Sequence, residues 1–165
     1  MSSFADIKKA IEESKNAIVV CHKDPDGDTL GSMLALNFIL KKMGLDVMMY
    51  STDEIPATYT FIPGIDKVIN NPPKKEFDLM FTVDISVVSR IGERKVSSKK
   101  LINIDHHLDN QRYGDINIIK EAASAGEILY DMAIEFGIQI DRDIAIPLYV
   151  SIMTDTGSFK YSSTT

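Results

Sequence analysis

Three short apolar runs of this chain each lead directly into carboxylate or imidazole side chains. The runs, with the polar residues that follow them, are 17–21 before the segment 22–28 (HKDPDGD), 77–83 before Asp84, and 101–104 before Asp105, His106 and His107. Helix-like segments separate the runs, which is typical of a parallel sheet covered by helices. Because such sheets bind ligands at the carboxyl ends of their strands, we expect these polar side chains to meet at one edge.

The whole pattern predicts an α/β domain with a mostly parallel sheet flanked by helices on both faces. Helical spacing of apolar residues and capping residues indicate the helices, and apolar runs indicate the strands. The predicted helices cover about 7–11, 29–43, 124–136 and 141–153, and the predicted strands cover 17–21, 46–50, 68–69, 77–83, 101–104 and 158–161. Pro147 interrupts the last helical pattern, so the start of that helix at Asp141 or Asp143 is left open.

Composition favours one domain with a substantial core, since 44% of the 165 residues are hydrophobic. The single cysteine, Cys21, excludes an internal disulfide and fits core packing at a strand end. No apolar run approaches the roughly 20 residues of a membrane span, and the first residues lack a signal-peptide pattern. We therefore expect a cytoplasmic location and no membrane partner.

The acidic charge limits the binding partners. A formal net charge of −6 argues against long duplex nucleic acid as a ligand, because a broad basic surface is missing. A small phosphate substrate is compatible with this negative charge, since bound cations offset the charge of an acidic site. All three histidines lie beside carboxylates, and imidazole with carboxylate is the ligand set of a hydrolytic divalent-metal site.

A calcium loop is the alternative explanation of the segment 22–28. Asp24, Asp26 and Asp28 have the spacing of the first three ligands of such a loop. The loop also requires Gly at its sixth position and Glu at its twelfth. Thr29 and Ala35 occupy these positions, so the calcium loop is excluded.

Four motifs of this chain resemble, in order and relative place, those of the DHH phosphoesterase superfamily. They are the segments 22–32, 83–84, 105–107 and 155–159. The Pro-Asp-Gly-Asp sequence, and Ser86, Arg90 and Gly92 after Asp84, look most like the oligoribonuclease and pAp-phosphatase group, the nanoRNases. The resemblance implies that residues 1–165 form a DHH catalytic domain, and that the C-terminal substrate-binding domain of the DHHA1 type is absent from this chain.

The resemblance further implies a pair of metal ions and assigns their ligands. His22 and Asp26 would bind one ion, and Asp84 would bridge both. Asp28, His106 and Asp155 would bind the other ion. Manganese is the expected metal, although the ligand set is also compatible with magnesium, cobalt or iron.

The other roles that the resemblance implies concern substrate and proton transfer. Asp84, His107 and Asp105 are the catalytic candidates: His107 would contact phosphate or protonate the leaving oxygen, and Asp105 would orient a histidine. Gly31 and Ser32 join His107 as substrate-binding candidates, because a helix start offers donors to phosphate. The alternative is that Gly31 and Ser32 only allow close helix packing. Asp24 is a candidate for support of the site from outside the ligand set.

The expected function is that of a metal-dependent phosphoesterase, which hydrolyses short oligoribonucleotides, pAp or dinucleotides with water activated by two ions. One alternative is a hydrolase like the family II inorganic pyrophosphatases, which usually have Asn where this chain has Asp24. Another is a non-catalytic metal-binding or regulatory module, which loss of Asp84, His107 or Asp155 would have favoured. We expect weak or no activity without the second domain, and a homodimer stays open.

Overall fold

A six-stranded parallel sheet forms the centre of the computed structural model, which describes residues 2–92 and 96–165. The strands are β1 (Asn16–Val20), β2 (Asp46–Tyr50), β3 (Val68–Ile69), β4 (Glu76–Val83), β5 (Ser97–Asp105) and β6 (Ile116–Ile119). Their order in the sheet is β3-β2-β1-β4-β5-β6, and each neighbouring pair is parallel. The strand order therefore reverses between β1 and β4, where open α/β sheets bind their ligands.

In the part of the chain that the structure describes, four α-helices accompany the sheet, and each begins after a residue whose side chain accepts a hydrogen bond from the helix backbone. The helices are α1 (Phe4–Glu12), α2 (Gly27–Lys42), α3 (Ala125–Glu135) and α4 (Arg142–Asp155), with caps Ser3, Asp26, Ser124 and Asp141. Short 3-10 helices cover Ala57–Tyr59, Ile65–Lys67 and Val88–Ile91. Gly44 follows α2 with a φ of 92°, a left-handed conformation that glycine adopts readily.

The two faces of the sheet are covered differently. In the described residues, all four α-helices contribute to the larger apolar cluster, together with alternate strand residues such as Val19, Phe81 and Ile104. The opposite face, with Ile18 and Met80, is covered by Ile85, by Ile91 at the end of the last 3-10 helix, by Val96 and by Tyr113. The predicted α/β fold with a parallel sheet is confirmed.

Helix α2 packs unusually close to α4 because it presents glycines to that helix. A Cβ atom added to Gly31 would lie 2.5 Å from the Pro147 carbonyl oxygen, and one added to Gly27 would collide with the Thr154 side chain. This contact brings the start of α2 against the end of α4, where Asp155 lies.

Two sequence predictions need correction. The predicted strand over 158–161 is wrong: Ser158 and Phe159 have φ values of 60° and 63°, which a strand does not allow. Strand β6 (Ile116–Ile119) was not predicted, since its four residues follow a polar loop and form no long apolar run. The last helix does begin at Asp141 as its cap, and Pro147 lies inside it. Within 2–92 and 96–165, no helix is long and apolar enough to cross a membrane.

Candidate metal centre

The candidate site lies where the strand order reverses. His22 follows β1 and Asp84 follows β4, and His22 Nε2 is 3.4 Å from Asp84 Oδ2. Asp26 and Asp28 lie at the start of α2. Asp105 is the last residue of β5, and His106 and His107 follow it. The carboxyl ends of adjacent parallel strands thus bring together side chains that are far apart in sequence.

One group, the His22 cluster, consists of His22, Asp26 and Asp84. His22 is 1% exposed, and its Nε2 atom is 3.7 Å from Asp26 Oδ2. The Nδ1 atom lies 2.6 Å from the carbonyl oxygen of Lys23, so it carries the ring proton and donates there. The lone pair of neutral Nε2 then faces two carboxylates.

A second group, the His106 cluster, consists of Asp28, His106 and Asp155. His106 Nε2 is 3.6 Å from Asp28 Oδ2 and 3.5 Å from Asp155 Oδ2. It is also 3.5 Å from Asp84 Oδ1. His106 Nδ1 donates to the Ala122 carbonyl oxygen over 3.2 Å, so Nε2 is again left facing carboxylates. Asp84 therefore offers one oxygen to each cluster.

The donor atoms fit divalent cations. Within each cluster they lie within 4.8 Å of one another, and the distances of 3.4–3.7 Å exceed ordinary hydrogen bonds. Ligand atoms bound at about 2.1 Å to one ion lie roughly 3.0 to 3.4 Å apart. Neutral imidazole nitrogens that face carboxylates repel them unless a proton or a cation lies between, and these residues can hold either.

In the metal-free protein, protons on His22 and His106 offset the negative charge of the neighbouring carboxylates. Burial opposes the charged form of His22, but Asp26 and Asp84 raise its pKa to about 9. Burial likewise opposes the charged form of His106, but the neighbouring carboxylates of Asp84 and Asp28 raise its pKa to about 9. Burial also works against ionised Asp84, but both histidines hold the pKa of that carboxyl below its usual range.

The backbone of Asp84 has an uncommon conformation. Its φ of 58° lies in the left-handed region, which aspartate tolerates better than most residues other than glycine. The Asp84 amide donates to the Ile104 carbonyl oxygen over 3.0 Å, which continues the β4–β5 pairing. Such strained residues cluster at functional sites, where the surroundings hold them in place.

Asp28 is fully buried, and three neighbouring groups donate hydrogen bonds to its carboxylate. Ser32 Oγ and Ser151 Oγ donate to Oδ1, the former over 3.0 Å, and the Ala125 amide donates to Oδ2 over 2.9 Å. Ala125 is the first residue of α3, so the carboxylate also lies at a helix N-terminus, where negative charge is favourable. Burial and the charge of Asp84 nevertheless raise the pKa of Asp28 to about 7.

His107 stands beside the clusters and reaches solvent, with 39% of its side chain exposed. Its Nδ1 atom donates to Asp105 Oδ1 over 2.8 Å, and this hydrogen bond raises the pKa of His107. Asp105 is fully buried and also accepts from the His106 amide over 2.9 Å. Since Nδ1 is engaged, His107 Nε2 is available to an external group.

The model of the DHH family, N-terminal domain, matches residues 16–152. The chain belongs to the DHH family. The match contains the first three motifs, and Asp155 lies just beyond it. The chain is 31% identical to the bifunctional oligoribonuclease and PAP phosphatase NrnA of Thermus thermophilus, over the whole chain and 50% of that protein. It thus spans about half the length of the curated relatives it matches.

Solved structures share the DHH fold. An exopolyphosphatase-related protein from Bacteroides fragilis superposes with a TM-score of 0.88 at 25% identity, over 98% of this chain and 52% of that one. RecJ from Thermus thermophilus, solved in complex with Mn²⁺, superposes with a TM-score of 0.53 at 19% identity, over 93% of this chain and 23% of RecJ. At that identity the RecJ likeness shows the fold alone.

Besides Asp105 and His107, three predicted DHH site residues lie outside the two clusters. Gly31 and Ser32 are buried in the contact of α2 with α4, and Ser32 donates to Asp28. This placement favours the packing alternative for both over direct contact with phosphate. Asp24 is exposed, and its amide donates to Asp53 Oδ2 over 2.8 Å, so Asp24 shapes the loop through its backbone.

Sequence reasoning missed several polar residues around the DHH site. Ser151 reaches Asp28 from α4, and Asn110 donates to Asp105 Oδ2 over 2.6 Å. Arg90 belongs to the motif resemblance but received no role, and its Nη2 atom lies 3.3 Å from His22 Nδ1. A lone serine or asparagine carries no signal of its own in a sequence, although Asn110 follows the histidine pair closely enough to suggest a shared loop.

Proposed function

We propose that this chain is the catalytic domain of a metal-dependent phosphoesterase that hydrolyses short oligoribonucleotides, pAp or dinucleotides. One observation carries the proposal: the two oxygens of Asp84 face two different imidazoles, at 3.4 Å from His22 and 3.5 Å from His106. A carboxylate shared in this way is the arrangement of a two-metal hydrolase. Membership of the DHH family, and a relative named oligoribonuclease and PAP phosphatase, support the choice of reaction and substrate.

The chain's own residues would hold two divalent ions. His22, Asp26 and Asp84 are the proposed ligands of one ion, and Asp28, His106 and Asp155, again with Asp84, those of the other. Bound ions supply Lewis-acid activation of water and neutralise the charge of a phosphate. Manganese is our proposed metal, because carboxylate donors suit it and the DHH resemblance implies it.

His107 is the proposed proton donor to the leaving oxygen. Its Nδ1–H bond to Asp105 fixes the ring, so that Nε2 is the atom that meets substrate. The raised pKa of His107 keeps a larger fraction of the imidazole protonated near neutral pH, as a general acid requires. Asp105 accepts from both histidine residues of the motif and therefore orients His107 relative to His106.

Substrate choice is proposed to depend on a second, DHHA1-type domain, because the matched relatives are about twice as long as this chain. Short oligoribonucleotides, pAp and dinucleotides remain the predicted substrates, and assembly into a homodimer remains a prediction. The cytoplasmic location and the exclusion of long duplex nucleic acid are predictions as well.

The test is a substrate panel assayed with this chain and Mn²⁺: bis(p-nitrophenyl) phosphate, a dinucleotide, pAp and pyrophosphate. We expect phosphodiester hydrolysis that Asp84→Asn reduces by at least about 100-fold. Asp78→Asn is the matched control, since Asp78 is on the same strand but pairs with Lys99, 2.7 Å away. Equal activity of the Asp84 variant would contradict the bridging role.

The same panel separates the alternatives. Hydrolysis of pyrophosphate without any phosphodiester would favour the pyrophosphatase-like enzyme. Manganese binding in calorimetry, with no hydrolysis of any of the four compounds by this chain or by a form extended by the proposed second domain, would favour the non-catalytic metal-binding module.

A further inference from the structure

We propose that Asn110 is a positioning residue that fixes the Asp105 carboxylate and, through it, the ring of His107. The proposal rests on the proposed function, in which His107 meets substrate. Asn110 itself is a member of neither cluster of candidate metal ligands. Its proposed role is therefore to hold Asp105, which in turn orients His107.

Asn110 makes a short hydrogen bond to a buried carboxylate. Asn110 Nδ2 lies 2.6 Å from Asp105 Oδ2, and both side chains are buried. The other oxygen, Oδ1, accepts from the His106 amide and from His107 Nδ1. Among the described residues, Asn110 is thus the donor that holds the far side of this carboxylate. Hydrogen bonds to ionised acceptors are the stronger ones, and a buried oxygen that loses its donor is costly.

The neighbours of the Asn110 side-chain amide allow only one orientation of it. Its Oδ1 atom accepts from the Arg112 amide over 2.6 Å, so a flipped side chain would set NH₂ against N–H and oxygen against Asp105. The second NH₂ proton is shared between Asn103 Oδ1 at 2.8 Å and the Ile85 carbonyl oxygen at 3.0 Å. The donor to Asp105 is therefore fixed by its neighbours.

Asn110 also joins the loop after β5 to the body of the sheet. The Asn110 amide donates to the His107 carbonyl oxygen over 3.2 Å, which closes the turn that carries the histidines. Asn103, fully buried on β5, donates in turn to Thr82 Oγ1 over 2.9 Å. A continuous polar network thus runs from β4 and β5 to the catalytic loop. Networks that are fully satisfied rigidify the groups they contain.

The test compares Asn110→Asp and Asn110→Ser with the control Asn117→Ala. Asn110→Asp keeps the size of the side chain and the acceptor for Arg112 but loses the donor to Asp105. Serine is smaller and polar, and Asn110→Ser replaces Asn110→Asp in the comparison if the aspartate variant does not fold. Asn117 bonds Gly114 across a nearby turn, over 2.6 Å and 3.0 Å, and has no contact with Asp105.

Activity is measured on bis(p-nitrophenyl) phosphate with Mn²⁺. We expect both Asn110 variants to lose roughly 10- to 100-fold in kcat, the usual effect of removing a group that orients a site residue. KM should change by less than about threefold, since the bond supports a group that acts in the transition state. Asn117→Ala should keep the kcat of the unaltered chain.

A second readout needs no activity. Ring-nitrogen NMR shifts of His107, recorded in metal-free protein at a pH where the imidazole is neutral, report which nitrogen carries the proton. The unaltered chain and Asn117→Ala should show the proton on Nδ1, and the Asn110 variants should show a mixture of both tautomers.

The proposal is overturned if folded Asn110 variants keep the kcat and the His107 tautomer of the unaltered chain. It is equally overturned if Asn117→Ala causes the same losses, because the effect would then be one of general stability. If neither the unaltered chain nor a form extended by the proposed second domain hydrolyses a phosphodiester, the proposed function fails, while the tautomer comparison still decides the role of Asn110.

Discussion

Ser151 on α4 donates a buried hydrogen bond to Asp28 on α2, across 123 residues of sequence. The same hydroxyl accepts from the Gly126 amide of α3 over 3.0 Å. One side chain thus joins three helices at a candidate metal ligand. The relationship explains how Asp28 is kept both buried and correctly oriented.

We expect Ser151→Ala to weaken manganese binding by roughly 10- to 100-fold, because Asp28 loses a donor that orients it. The metal-free protein should also lose about 1–3 kcal/mol of unfolding free energy, since buried partners of the hydroxyl are left unpaired. Calorimetric titration and urea unfolding measure the two effects. Ser14→Ala, which removes a hydroxyl bonded to Ala10 far from the site, is the control. Equal affinity in the two variants would contradict the orienting role.

Gly31→Ala should destabilise the protein although alanine favours helices. Helix propensity alone predicts a gain of about 1 kcal/mol in the free energy of unfolding. The added Cβ would lie 2.5 Å from the Pro147 carbonyl oxygen and 2.8 Å from the Ser151 amide, and backbone atoms cannot move aside easily. Overpacking of this kind costs about 1–3 kcal/mol, so the sign reverses.

Chemical unfolding of Gly31→Ala beside Gly44→Asn provides the comparison. A Cβ at Gly44 would meet nothing within 4 Å, and asparagine tolerates its left-handed φ of 92°. A stabilised Gly31→Ala protein would show that α2 and α4 are less close than described.

The stability of the metal-free protein should fall as the pH rises from 6.5 to 9. The pKa values of His22 and His106 are raised from 6.5 to about 9 in the fold. Their protonated forms therefore stabilise the fold fully below pH 6.5, and this contribution is lost as the pH rises through 9. Asp28, with its pKa raised from 3.8 to about 7, changes stability in the same direction at lower pH.

Urea unfolding in the presence of a chelator, at several pH values, measures this dependence. His106→Asn should show a shallower decline than the unaltered chain. A metal-free stability that rises over the same interval would contradict the proton bridges between imidazoles and carboxylates.

Manganese should reverse that pH dependence. Cations compete with protons for the same nitrogens and oxygens, so the stabilisation by Mn²⁺ should grow as the pH rises. At a free concentration of 100 times the dissociation constant, one site adds about 2.7 kcal/mol to the unfolding free energy. Thermal unfolding with and without Mn²⁺ measures the gain, and a chelator should remove it. Asp84→Asn should lose most of the gain, whereas Asp78→Asn should keep it.

The sequence predicted the fold and the candidate ligands for the same reason. His22, Asp84 and His106 each follow an apolar run, and parallel strands align their carboxyl ends whatever the details of packing. No comparable rule predicts the positions of the residues that support the candidate ligands. Ser151 and Asn110 act through contacts with helices and loops whose relative positions depend on tertiary packing. The incorrect strand at 158–161 has the same origin, because the left-handed turn at Ser158 leaves no local trace beyond Gly157.

Assembly of the His106 cluster has a consequence for synthesis of the protein. Its ligands come from α2, from the loop after β5 and from the end of α4, so no short stretch of nascent chain contains them all. A ribosome-bound chain can complete this cluster only after α4 has left the exit tunnel and docked on α2. Until then, Asp28 lacks its serine partner Ser151, and His106 lacks Asp155. On the proposed assignment of ligands, the His106 cluster could therefore bind its cation only after α4 has docked on α2.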